Sequence, residues 1–174
     1  MKQFFSIDDV GDLKSLIREG LEVKKNPFKG KGSIRNKSIC LLFLNPSLRT
    51  RLSSQRAAQN LGVDVTVFDV GAGGWQLEFA DGVIMNGNKA EHVKEAAAVM
   101  GSYFDLVAIR AFAKLEDREA DYSEQVLSQF LKHCPVPVVN LESSTRHPLQ
   151  AFADLITIET HKKIEKPKVV LTWA

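Results

Sequence analysis

At 174 residues the chain has the length of one domain, and its 44% hydrophobic and 25% charged residues exclude a collagen, a disordered tail or a disulfide scaffold. Lysine and arginine (23) nearly balance aspartate and glutamate (21), and a net charge of +2 points to neither nucleic acid nor a membrane surface. Cys40 and Cys134 make no C-x-x-C motif and read as buried free thiols of a reducing compartment. The first residues lack a signal-peptide pattern and no run approaches ~18 apolar residues, so a soluble, cytoplasmic protein is expected.

In chain order, a helix is predicted over 8–20, with Ser6 or Asp8 as its cap. The stretch 26–32, rich in lysine and glycine, is irregular. Residues 38–44 form a continuous apolar run, the mark of a strand buried on both faces. A helix over 49–61 follows, then a β-branched strand over 63–68. The glycine-rich segment 70–89 is long for a loop inside a domain and reads as functional. Next come a helix over 91–104, a strand over 105–109, a helix over 121–133, a strand over 136–140 and a helix over 148–163. A last apolar run, 168–173, reads as a fifth strand. The alternation predicts an α/β fold, a parallel sheet with helices on both faces. A strand with no turn after it suggests a chain cut short, with one domain over 1–167 and the first strand of another at 168–174.

In open α/β sheets ligands sit beyond the carboxyl ends of the strands. Three such ends stand out. Asn45-Pro46-Ser47-Leu48-Arg49-Thr50-Arg51 opens a helix, where hydroxyls, free backbone N–H groups and guanidinium forks make an anion site; a capping serine beside two solvated arginines is the plainer alternative. Arg110 directly follows a strand and is either a ligand contact or a surface ion pair. Glu142-Ser143-Ser144-Thr145-Arg146-His147-Pro148-Leu149-Gln150 again runs from strand to helix, with Pro148 suited to the first helical turn. His147 and Gln150 are three apart and can face one spot, although a capping cluster with a solvated histidine fits equally. His92, His133 and His161 lack metal-ligand spacing, Glu78 and Asp81 read as solvated loop carboxylates, and no G-x-G-x-x-G follows a strand.

Taken together, the three strand ends resemble the aspartate/ornithine carbamoyltransferase family, whose carbamoyl-phosphate domain carries S-T-R-T-R, then an arginine, then H-P-x-Q. Here they stand as Ser47-Leu48-Arg49-Thr50-Arg51, Arg110 and His147-Pro148-Leu149-Gln150. The runs 74–79 and 83–88 and Ala111-Phe112 are similar to the family's N-acylornithine branch. The resemblance covers the family's first domain and implies a binding site for carbamoyl phosphate. Ser47, the Leu48 N–H, Arg49 and Thr50 would hold phosphate, and Leu149 would line the same site. Arg110 and His147 would be catalytic on the carbonyl oxygen, and Gln150 would orient the carbamoyl amide. Glu142 would help bind the acceptor, Trp75 would serve a neighbouring subunit of a homotrimer, and Arg51 would pair with an acid across the domain. The implied reaction is carbamoyl transfer to the δ-amine of N-succinyl-L-ornithine in arginine biosynthesis, without cofactor or metal. An N-acetylornithine or plain ornithine enzyme, or a non-catalytic anion-binding domain, is the alternative. The acyl choice rests on Ala90, where the acetyl-using enzymes carry a glutamate and the succinyl-using ones a proline; a neutral residue spares a succinyl carboxylate like-charge repulsion.

Overall fold

The computed structural model describes residues 3–71 and 75–172. Strand β1 (Gln3–Phe4) and a single 3-10 turn (Ile7–Asp9) precede helix α1 (Leu13–Lys25). Ser6 and Asp9 close a capping box around that turn, and Asp12, one turn further on, caps α1 through the Ser15 N–H. The helix expected over 8–20 therefore starts later and runs to Lys25. Then come β2 (Ser38–Phe43), α2 (Arg49–Leu61), β3 (Asp64–Asp69), the short β4 (Leu77–Glu78) and β5 (Glu91–His92), and α3 (Val93–Tyr103). They are followed by β6 (Leu106–Arg110), α4 (Arg118–Tyr122), α5 (Gln125–His133), β7 (Val138–Glu142) and α6 (Pro148–His161). The helix expected over 121–133 is broken, because Glu124 takes a left-handed conformation at φ 50°.

The main sheet is parallel, in the order β1-β7-β6-β2-β3. The apolar run of β2 supplies both faces at period two. Cys40 and Leu42 point into one core with Val93, Ala97 and Met100 of α3 and Leu127 and Phe130 of α5. Leu41 and Phe43 point into the other with Ala108, Leu141 and Leu149 of α6. Arg51 of α2 lays its guanidinium 4.8 Å from the Phe43 ring, which sets α2 on this second face. Burying Leu42 or Phe43 is worth about 1.5–3 kcal/mol each, and a Leu42→Ala cavity costs about 2–5 kcal/mol. A Cβ on Gly20 would stand 2.5 Å from Ile156 Cδ1, so a side chain there would push aside the residue through which α6 meets α1, and Gly62 ends α2 at φ 75°.

The predicted strand over 168–173 is the one element the structure does not form among its described residues. Residues 168–172 pair with no described neighbour, and without a ladder partner their backbone is left to water. Val170 and Leu171 are 82% and 97% exposed. Both thiols are free as expected, but only Cys40 is buried and Cys134 is half-buried; burial pushes the Cys40 thiol up to about 12, with Cys134 adding to it. No described helix is long and apolar enough to cross a membrane.

Candidate active site

Chain order and sheet order together locate the site. From β2 the chain crosses through α2 to β3 on one side, and from β6 it crosses to β7 on the other. The carboxyl ends of β2 and β6 therefore diverge, and the crevice between such ends is where an open α/β sheet binds ligands. A cleft of about 700 Å³ opens there, lined by Ser47, Arg49, Thr50, Arg110, His147 and Gln150 among others.

Arg110 is the buried centre, 7% exposed. Its position depends on a bulge: Ile109 pairs with Asn140, but the register then slips, and Arg110 pairs with Glu142 instead of Leu141. The Arg110 Nε donates to Glu142 Oε2 at 3.1 Å, and Nη1 donates to the carbonyl oxygens of Asn45 (3.2 Å) and Pro46 (2.6 Å). The Phe112 ring lies 3.8 Å from the guanidinium carbon. These bonds occupy Nε and Nη1, and among the described residues nothing accepts from the two Nη2 hydrogens. Arg110 does make an ion pair, with Glu142, but from a buried position rather than at the surface.

At the start of α2 the backbone donors stand without a side-chain cap. Leu48 occupies the cap position with helical dihedrals, and no side chain caps the first-turn N–H groups. Helices α1, α3, α4 and α6 each carry a side-chain cap. Arg51 points away and pairs with Asp69, as expected.

His147 caps α6: its Nδ1 accepts the Gln150 N–H at 3.4 Å. In the neutral ring an accepting Nδ1 carries no proton, so the N–H sits on Nε2, which lies 3.6 Å from Glu142 Oε2. Glu142 thus faces both Arg110 and His147. Gln150 gives its Nε2 to Asp154 Oδ1 at 2.8 Å, leaving its oxygen as an acceptor. Trp75 is not brought into its own chain's cleft. Its indole N–H reaches Glu91 Oε2 at 3.4 Å, and its ring tilts against Phe68. Residues 72–74, which precede it in the glycine-rich loop, lie outside the described residues.

Glu78 and His92, expected as a solvated carboxylate and a histidine without ligand spacing, are both engaged in the loop before α3. Glu78 accepts the Phe79 and Ala80 N–H groups, and the bond from Ala80 foremost holds its carboxyl below the usual range. His92 caps α3 and its Nε2 lies 2.9 Å from the Ala80 oxygen. Sequence reasoning missed Glu124 altogether.

Residues 2–160 match the family model described as aspartate/ornithine carbamoyltransferase, carbamoyl-P binding domain. The chain belongs to the aspartate/ornithine carbamoyltransferase family. Within it, the chain is 53% identical over its whole length to N-succinylornithine carbamoyltransferase of Bacteroides fragilis (strain 638R), covering 55% of that protein. It is 38% identical over 99% of its length to N-acetylornithine carbamoyltransferase of Xanthomonas axonopodis pv. citri (strain 306), covering 51% of that protein. A solved N-acetyl-L-ornithine transcarbamylase mutant, complexed with carbamyl phosphate and N-succinyl-L-norvaline, superposes with a TM-score of 0.86 at 38% identity, over 92% of this chain and 48% of that one. The chain thus spans about half the length of the carbamoyltransferases it matches.

Proposed function

We propose that this chain forms the carbamoyl-phosphate half of an enzyme that carbamoylates the δ-amine of N-succinyl-L-ornithine, giving N-succinyl-L-citrulline and phosphate in arginine biosynthesis. The observation that carries the reading is the uncapped start of α2 facing a buried arginine whose Nη2 is unoccupied. In this scheme the phosphate lies on the Leu48, Arg49 and Thr50 N–H groups, with the Ser47 and Thr50 hydroxyls and the Arg49 guanidinium around it. Arg110 Nη2 bridges phosphate and carbonyl oxygen, and His147 Nε2–H donates to that carbonyl oxygen. The Gln150 oxygen accepts from the carbamoyl NH₂, and Leu149 walls the cleft.

The neutral δ-amine attacks the carbonyl carbon, and negative charge grows on an oxygen already faced by two fixed donors. Aimed donors of this kind are worth ~3–4 kcal/mol each in transition-state stabilisation. The tetrahedral species collapses by breaking the carbon–oxygen bond to phosphate, and the leaving phosphate takes up the amine's proton and departs as the hydrogen phosphate dianion. Glu142, engaged with Arg110 and close to His147, orients both and helps hold the acceptor. The acceptor's remaining contacts come from a second domain, and the exposed apolar residues Val170 and Leu171 suit the passage into it. We infer that the enzyme is a cytoplasmic homotrimer in which Trp75 reaches a neighbour's cleft, needing neither cofactor nor metal.

The succinyl choice has two supports. The 53% relative carries that name. In addition, four solved transcarbamylase variants, with a glutamate replaced by serine, alanine, valine or proline, are complexed with N-succinyl-L-norvaline. Ala90, exposed in the 81–90 loop, is a neutral residue of that kind. The test supplies a two-domain form of the protein with carbamoyl phosphate and N-succinylornithine, N-acetylornithine or ornithine separately, and follows phosphate and carbamoylated product. Product with N-succinylornithine alone is expected. Tight carbamoyl-phosphate binding with no product from any acceptor would favour an anion-binding domain without turnover.

A further inference from the structure

Glu124 is buried, charged by type and left unused by the scheme above. It stands at the cap position of α5 with φ 50° and ψ 41°, yet its side chain does not cap that helix. A non-glycine residue in the left-handed region is strained, and such strain persists only where the surroundings enforce it. The carboxylate turns away to the loop between β7 and α6. Oε1 accepts the Ser143 hydroxyl (2.8 Å), the Thr145 N–H (2.9 Å) and the Thr145 hydroxyl (2.6 Å), and Oε2 accepts the Ser144 N–H (3.2 Å). Beneath it, the Asn140 amide donates to the Ser143 oxygen at 3.1 Å and to the Phe5 carbonyl at 3.1 Å. The loop closes on itself through the Ser143 N–H to the Arg146 carbonyl at 2.8 Å, and the next residue is His147.

We propose that Glu124 is a positioning residue: its carboxylate gathers the donors of residues 143–145 into one turn and so fixes the direction in which His147 presents its Nε2–H to the cleft. Without it, four donors of the turn, two backbone N–H groups and two hydroxyls, lose their acceptor, the buried Ser143 hydroxyl among them, and the turn must rearrange to find others. His147 caps α6 as the first residue after that turn, so any rearrangement reaches the ring directly. The assignment of a kinetic consequence rests on the carbamoyl-transfer reading; the assignment of His147 geometry does not.

The test compares the protein with its Glu124→Gln variant by long-range ¹H–¹⁵N spectra of the histidine rings, which read the tautomer of His147. Glutamine keeps one acceptor oxygen but sets an NH₂ against the Ser144 N–H. The expected result is a native-like melting curve, inorganic phosphate binding within about twofold of the parent because α2 is untouched, and loss of the single Nε2–H form of His147. In a two-domain form, kcat falls on the order of a hundredfold while the KM for carbamoyl phosphate changes far less. Should Glu124→Gln fail to fold, Thr145→Val removes one donor at the same carboxylate and is expected to shift the same ring signals in the same direction, by less. Unchanged His147 signals in whichever variant folds overturn the proposal. A parent protein that binds neither phosphate nor carbamoyl phosphate speaks instead against the functional reading and leaves the His147 comparison standing.

Discussion

At the start of α2 the first-turn N–H groups carry no side-chain cap, whereas at the start of α6 the His147 ring accepts the Gln150 N–H and is itself backed by a turn wired to Glu124. Both helix ends face the same cleft, and both follow a strand of the same sheet. On the proposed reading the difference separates two tasks. An end left open keeps its positive field and its donors for an incoming anion. An end already satisfied holds a side chain still, so that a donor meets charge as it develops without reorganising. Arg110 lies between the two and belongs to both, donating to the Asn45 and Pro46 carbonyls that lead into α2 and to Glu142 that leads into α6.

The comparison breaks most severely at Arg110. Breaking a buried ion pair by deleting one partner costs 3–5 kcal/mol, and Glu142 is partly exposed, so Arg110→Leu is expected near the lower end, about 3 kcal/mol in urea unfolding. Carbamoyl-phosphate binding should vanish with it. A loss of under about 1 kcal/mol would mean that the arginine does not tie the two ends together.

His147→Ala acts on the satisfied end alone. It is expected to lower kcat on the order of a hundredfold in a two-domain form, through loss of one oxyanion donor. Stability should fall by about 1 kcal/mol with the cap, and the Kd for carbamoyl phosphate should hardly move. An unchanged kcat removes His147 from the reaction. Leu48→Asp sharpens the contrast from the opposite side by placing a carboxylate at the open end. Phosphate binding should weaken roughly tenfold while the fold gains up to about 1 kcal/mol, measured by calorimetry and thermal melting. Weakened binding without any gain in stability would show that the end was not open.

The smallest effect lies at the opposite, amino-terminal ends of the interior strands β2 and β6. The Lys37 ammonium foremost, with the Ser38 N–H, holds the Asp105 carboxyl below the usual range. A folded value below the unfolded one contributes stability above the ordinary carboxylate range and loses it as pH falls through the depressed value. Asp105→Asn should therefore narrow the gap between urea midpoints at neutral and acid pH. An unaltered gap would place that acid sensitivity elsewhere.

Much of this was legible along the chain because it is local. The uninterrupted apolar run at 38–44 marked a strand buried on both faces, and Pro148 marked the start of α6. The residues of the cleft were legible because each follows a strand or opens a helix. What was hidden depends on partners far away in sequence. The slip that sets Arg110 beside Glu142 is a property of two strands, not of either one. Glu124 looks like any helical glutamate until residues 143–145 arrive as its donors. The run at 168–172 has the composition of a strand but no neighbour to pair with. Likewise Asp12 won the α1 cap from Ser6 because the chain first turns once on itself.

The open start of α2 is expected to receive the phosphate of carbamoyl phosphate. The most direct test is an amide ¹H–¹⁵N titration of the protein with carbamoyl phosphate. The account predicts saturable shifts largest at the Leu48, Arg49 and Thr50 amides, weakened by added salt and lost in Arg49→Ala. Saturable binding that leaves those three amides unmoved would contradict it.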